Sequence, residues 1–227
     1  MRQRSDALPK KVLNVGGNNK NIELPEHFDG FEHLLLDIDP TGNPDILCDA
    51  RTLTELPAAQ FDAVYCSHNL EHYHDHDVSK VLRGFMHVLK SDGFLHLRVP
   101  DMRELMKVVV ERDLDLDDVL YRSHIGPVLV RDVIYGHAGQ IERSGVDFFA
   151  HKTGFTADSL SRLLVQQGFA QIFIRTGRLE VEALAFKGEV SDLVAHLTGF
   201  SQVCTACGHY APAKPLPIVP RPTAHIS

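Results

Sequence analysis

The chain has 227 residues, 44% hydrophobic and 23% charged, enough apolar material for one full core and too much for a disordered chain. Its formal net charge is −7 with a pI near 6.0, and no run of Lys or Arg is dense enough to track phosphates, which excludes a general nucleic-acid or membrane-surface binder. The opening MRQRSD has no apolar stretch behind it and no run of about 18 apolar residues occurs, so neither a signal peptide nor a membrane span is expected, and a cytoplasmic location is.

Residues 11–16, KVLNVG, predict a strand buried on both faces that runs into GGNN at 16–19. Gly16 and Gly17 would let a ligand approach the backbone, and Asn18 and Asn19 tolerate positive φ better than other side chains; a tight turn is the plainer alternative. Stretch 19–31 is short and contains Pro25, so a first crossover helix should be brief or irregular. The next strand, 33–36, ends in DIDP at 37–40. Asp37 stands 21 residues after Gly16, where an acid at the tip of a second strand accepts both hydroxyls of a ribose, with Ile38 beside it; capping of the turn before Pro40 is the alternative. A third short strand, 45–48, ends at Asp49 and Ala50, where an acid can accept an adenine's exocyclic amine.

Stretch 61–101 holds a complete strand, helix and strand. Residues 61–66 are a short buried strand, 78–89 carry apolar side chains at steps of three and four, Ser-Asp-Gly at 91–93 should end that helix, and 94–99 form a strand closed by Pro100. A right-handed crossover places 67–72 and Asp101 at one carboxyl edge, where open α/β sheets bind ligands. HNLEH at 68–72 is also a literal H-x-x-E-H, but that protease motif needs a long helix and this one follows a strand. His74, His76, Asp75 and Asp77 read as a solvated helix N-terminus rather than a metal site.

Beyond Asp101 a helix is predicted over 102–112, a polar break over 113–118, and one or two further helices over 120–134. The glycine- and aromatic-rich segments 135–140 and 145–152 complete an insertion, about 102–153, suited to a substrate lid. His137 and His151 are its candidate general bases, with Asp101 next. Residues 155–167 predict a helix capped by Thr156 and ended by Gly168, 169–175 and 181–186 a strand hairpin, and 190–197 a last helix. From 200 onward the chain reads as a proline-rich tail, in which C-x-x-C at 204–207 with His209 is half a zinc site; no metal ligand set is assigned.

The order LNVGGN, LLLDIDP, ILCDA, FDAVYCSHNLEH, VLKSDGFLHLRVPD resembles the class I S-adenosylmethionine-dependent methyltransferases, especially the bacterial type 11 group, over about residues 10–190. SHNLEH and VLKSDGFL are similar to that group's SxxLEH and VLKPGGxL patterns, with Ser91 and Asp92 in place of Pro and Gly, and HKTGFT at 151–156 to a segment of some members. The resemblance implies an α/β, Rossmann-like doubly wound, mainly parallel sheet with an antiparallel last strand, as one domain over 1–199 before the tail at 200–227. It implies S-adenosyl-L-methionine as cofactor, with Gly16 and Gly17 at its methionine part, Asp37 at the ribose, Asp49 and Ala50 at the adenine, and Ser67, His68 and Leu70 on its other side. Asn14 replaces the usual acid on the first strand, and Asn18 and Lys20 replace two glycines, so the amino-acid end should be held differently. Methyl transfer to an oxygen or nitrogen of a small molecule or glycan precursor follows, with no nucleic-acid or membrane partner and homo-oligomerisation left open. A methyltransferase-like binding or scaffold protein without turnover is the alternative.

Overall fold

The computed structural model describes residues 8–123, 126–189 and 200–210. Strand β1 (Lys11–Val15) is nearly inaccessible, with Val12, Leu13 and Val15 at most 1% exposed, because parallel neighbours and covering chain bury both its faces. It pairs in parallel with β2 (Glu32–Asp37) and with β4 (Phe61–Ser67), while the two-residue β3 (Ile46–Leu47) extends the sheet past β2. From β4 the chain crosses through helix α1 (Asp75–Val88) to β5 (Leu89–Pro100), again parallel. Asp75 and Asp77 favour the first turn of α1 through the helix dipole, and Val78, Val81, Leu82, Phe85 and Val88 are buried on its sheet face. Ser91 to Gly93 do not form the separate break expected of them. Leu89 already pairs with Phe61, and a register shift before Ala63 absorbs the extra residues within the strand.

After β5 come α2 (Met102–Glu111), β6 (Val119–Ser123), β7 (Gly126–Leu129), α3 (Val130–Tyr135), α4 (Ala138–Ser144), α5 (Ala157–Gln166), β8 (Gln171–Gly177), β9 (Glu180–Phe186), β10 (Ser201–Cys204) and β11 (His209–Tyr210). The sheet order among the described residues is β11-β10-β8-β9-β5-β4-β1-β2-β3, mainly parallel in its centre, with β9 antiparallel to both β5 and β8. That direction brings Glu180, at the start of β9, beside Pro100 at the carboxyl end of β5. One sheet face is covered by α1, α5 and the turn at Ala50–Glu55. The other is covered by aromatic side chains of the irregular 19–31 segment: Phe28 stacks on Phe94 with ring centroids 5.9 Å apart and packs edge-on to Tyr65. As expected of a stretch with Pro25, its helical content is one 3-10 turn, Glu26–Phe28.

Two further sequence expectations are overturned. The helix over 120–134 is a β-hairpin followed by a short helix: Val119 faces Leu129 and Tyr121 faces Val128, with Val119, Tyr121 and Val128 of types that favour strands, and helix begins at Val130, where Asp132 accepts the Leu129 N–H at 2.9 Å. The tail expected from 200 begins instead with β10, which pairs antiparallel with β8 and buries Val203; Gly208 N–H donates to Cys204 O at 2.7 Å in the turn to β11. The helix expected over 190–197 and the chain after 210 lie outside the described residues. No helix among those described is long and apolar enough to cross a membrane.

Candidate active site

The carboxyl ends of β1, β2, β4 and β5 meet along one edge. Gly16 (φ 71°) and Asn18 (φ 62°) turn the chain away from β1 in the left-handed region that glycine and asparagine tolerate. A side chain at Gly16 would collide with Asn69, and one at Gly17 with Asn14, so both glycines serve close approach. Asn14 is 2% exposed and its amide donates to His33 Nε2 at 3.2 Å, while Lys20 pairs with Asp45 at 2.6 Å. Asp37 accepts the Asn18 N–H on one oxygen (3.1 Å) and the Asp39 N–H on the other (3.0 Å), which fixes the carboxylate and leaves lone pairs on both oxygens.

Three adjoining cavities follow this edge. The first, about 230 Å³, is lined by Gly16, Asn18, Asp37, Ile38, His68 and Asn69. It shares Ile38 and Asn69 with a second of about 230 Å³, which adds Asp49, Arg51 and Tyr73. It shares His68, Gln140 and Phe149 with a third of about 380 Å³, whose walls include Tyr121, His137, His151 and Glu180. His72 lines all three. The third is walled largely by the 102–153 insertion, which is pinned back on the sheet edge where Lys152 N–H and Thr153 N–H both donate to Glu71 O, at 2.8 and 3.2 Å.

Charges at the edge are tightly organised. Burial works against the Asp49 charge, but Arg51, bonded to both carboxylate oxygens, holds its pKa below the ordinary carboxylate value, and Arg51 reaches on to Asp77 at 3.3 Å. His68, in the left-handed region at φ 49°, places Nε2 2.7 Å from Glu180 Oε1 and Nδ1 3.5 Å from Glu71 Oε1. Burial opposes its protonation, yet the two acids raise its pKa to about 9. Glu180 also takes a 2.5 Å hydrogen bond from Arg98. His151 donates its Nδ1 proton to Val133 O at 2.9 Å, and burial lowers its pKa despite Glu71, whose Oε1 is 3.9 Å from Nε2.

Of the residues singled out in the sequence, Gly16, Asn18, Asp37, Ile38, Asp49 and His68 line the first two cavities, and His137 and His151 the third. Ala50 and Leu70 are core residues, at most 1% exposed, so contact with a ligand there would run through backbone. Ser67 is the half-buried last residue of β4, and Gly17 lies against Asn14. Asp101 does not present its carboxylate to the third cavity's wall: 5% exposed, it caps α2 by accepting from Arg103 N and Glu104 N at 3.0 and 3.3 Å. Sequence reasoning passed over Asn69, Glu71, His72, Tyr121, Gln140 and Glu180. Glu71 and His72 were visible in HNLEH but discounted with the helical protease motif, whereas Tyr121 and Gln140 stood in segments with no regular pattern.

A family model described as a methyltransferase domain matches residues 21–97, from the irregular crossover to β5. Several solved structures share the fold. A SAM-dependent methyltransferase from Archaeoglobus fulgidus is 16% identical, with 79% of this chain and 86% of that one covered at a TM-score of 0.51. The PH0226 protein of Pyrococcus horikoshii is 15% identical, over 79% and 82% of the two chains, also at 0.51. An O-methyltransferase family protein from Burkholderia thailandensis is 12% identical, over 80% of this chain and 52% of that one, again at 0.51. No curated protein matches the sequence.

Proposed function

We infer that this chain, which has the class I methyltransferase fold and matches a methyltransferase domain over 21–97, is an S-adenosylmethionine-dependent methyltransferase with its cofactor along the carboxyl edge of β1, β2 and β4. The observation that carries the reading is the continuity of the cavities from Asp49 through Asp37 and Gly16 to the two imidazoles of the insertion. The residues fit the cofactor: two glycines at which a side chain would run into Asn69 or Asn14, a fixed carboxylate at the tip of β2 for two ribose hydroxyls, and an acid past β3 for the adenine amine. When bound, the cofactor supplies a methyl group on a positively charged sulfur, open to attack by an oxygen or nitrogen lone pair.

The acceptor, an oxygen or nitrogen nucleophile of a small molecule or glycan precursor, would occupy the cavity between His68 and His137. About 380 Å³ suits a small ligand, and its mixed wall of Tyr121, Val128, Phe149 and Glu180 offers both apolar contact and polar anchors. Residues 102–153 act as the lid that aligns the acceptor and excludes water, which supplies most of what an in-line displacement asks of a protein. His137 and His151, which line this cavity, are the bases this reading assigns to an acceptor proton. Transfer of labelled methyl from S-adenosylmethionine to a panel of small hydroxyl and amine acceptors tests the reading. Label on an acceptor, lost by about 10²-fold in turnover with His137→Gln while cofactor affinity holds, supports it. A folded protein that binds neither S-adenosylmethionine nor S-adenosylhomocysteine overturns it.

A further inference from the structure

The carboxylate of Glu71 is 1% exposed, and neither of its oxygens accepts a hydrogen bond from any described residue. A buried carboxylate so placed calls for a cation or a proton. His68 Nδ1 stands 3.5 Å away on one side, an ion pair that meets part of that need without a hydrogen bond. On another side His151 directs Nε2 at Glu71 Oε1 from 3.9 Å; because its Nδ1 proton is committed to Val133 O, that Nε2 carries a lone pair when the ring is neutral. Two electron-rich atoms thus face each other. The third member is His72, whose ring lies 5.0 Å from that of His151, edge to face. Its Nδ1 stands 3.2 Å from Ala150 O and its Nε2 3.1 Å from His68 O, so the ring gives up one of these carbonyl contacts to ligate and keeps the other as the bond that orients it.

We propose that Glu71, His72 and His151 form a binding site for one divalent first-row transition ion beside the third cavity, which His72 and His151 line. One ligand atom from each of the three lies within 4.8 Å of those of the other two. Ligands about 2.1 Å from a tetrahedral ion stand about 3.4 Å apart, so the 3.9 Å gap closes by about 0.5 Å, and a separation at the 4.8 Å limit of the set by about 1.4 Å, through side-chain rotation. Two imidazoles and a carboxylate suit zinc, iron, cobalt or manganese and leave at least one coordination position open. His68, between Glu71 and Glu180, is a positioning residue that orients the carboxylate. Assigning the open position to an acceptor hydroxyl rests on the methyltransferase reading: ligation there would ease loss of the hydroxyl proton to His137 or to water as the oxygen bonds to the methyl carbon, the sulfur–methyl bond breaks and S-adenosylhomocysteine leaves. His151 is then a metal ligand, and His137 the remaining base.

Titration of the Cys204→Ser/Cys207→Ser protein with cobalt(II) chloride, followed by visible d–d absorption and calorimetry, tests the site without reference to turnover. One equivalent should bind, with affinity lowered at least about tenfold by His151→Gln and by Glu71→Gln, and unchanged by His74→Ala/His76→Ala. His151→Gln decides the matter if Glu71→Gln fails to fold. Absence of a bound equivalent, equal affinity with His151→Gln, or loss of binding with the His74/His76 pair would each overturn the proposal. Titration of the same sample with S-adenosylhomocysteine shows separately whether the methyltransferase reading stands.

Discussion

Replacing Asp37 by Ala probes the point where fold and cofactor reading meet. The carboxylate has about four acceptor positions; two are taken by the Asn18 and Asp39 N–H groups, which leaves one on each oxygen for a pair of ribose hydroxyls. Loss of a hydrogen bond to a charged acceptor costs about 1.5 to 3 kcal/mol, so S-adenosylhomocysteine should bind between about 10- and 150-fold more weakly, the lower figure applying if water replaces the carboxylate well. Because the same carboxylate ties Asn18 to the β2 tip, Asp37→Asn serves as a second variant that keeps shape and removes charge. Calorimetric titration of both, with thermal melts to confirm folding, gives the comparison. Affinity within about threefold of the parent in a folded Asp37→Ala protein would refute the placement of the ribose.

Acid should destabilise the fold in two stages. Burial, then His96, lowers His27 to about 4, and Glu182, though burial opposes its charge, is held at about 2 by His96 and Arg175. Both folded values lie below the unfolded ones of 6.5 and 4.5, so stability present above pH 6.5 falls first as the unfolded His27 takes up a proton and again below pH 4.5 toward 2. Urea midpoints against pH should show both declines, with the first reduced by His27→Gln; a midpoint constant from pH 7 to 4 would contradict the assignment. Val203→Ala, at a 2% exposed position of β10, should cost about 1.5 kcal/mol for two buried methyl-sized groups and lower the melting temperature by about 3 to 6 °C, whereas an unchanged melt would return β10 to the status of a tail. Asp101→Ala should cost about 1 kcal/mol through loss of the α2 cap and spare methyl transfer, and a loss of turnover without a loss of stability would restore Asp101 as a candidate base.

Much of this architecture is legible in the sequence because burial imposes period. Val78, Val81, Leu82 and Phe85 can share one sheet only on a helix, and the mainly apolar runs of β1 and β4, interrupted by Asn14 and Asp62, fit strands covered on both faces. Where packing is local, the pattern fails: Leu120, Val130 and Val133 form a small cluster that a helix or a hairpin could supply equally, and β10 buries Val203 alone of its four residues. In the site, acids at strand ends were readable from spacing, since the strands fix where they fall. Convergence of Glu71 and His72 with His151 was not, because it depends on backbone bonds from Lys152 and Thr153 to Glu71 O that join segments far apart in the chain.

The central claim, that the carboxyl edge holds S-adenosylmethionine, is tested most directly by calorimetric titration of the folded protein with S-adenosylmethionine and S-adenosylhomocysteine. Saturable binding of one equivalent of each, lost when Gly16→Val thrusts a side chain toward Asn69 in a protein that still melts cooperatively, is the predicted result. No binding of either ligand up to about 1 mM, or undiminished binding to a folded Gly16→Val protein, would contradict it.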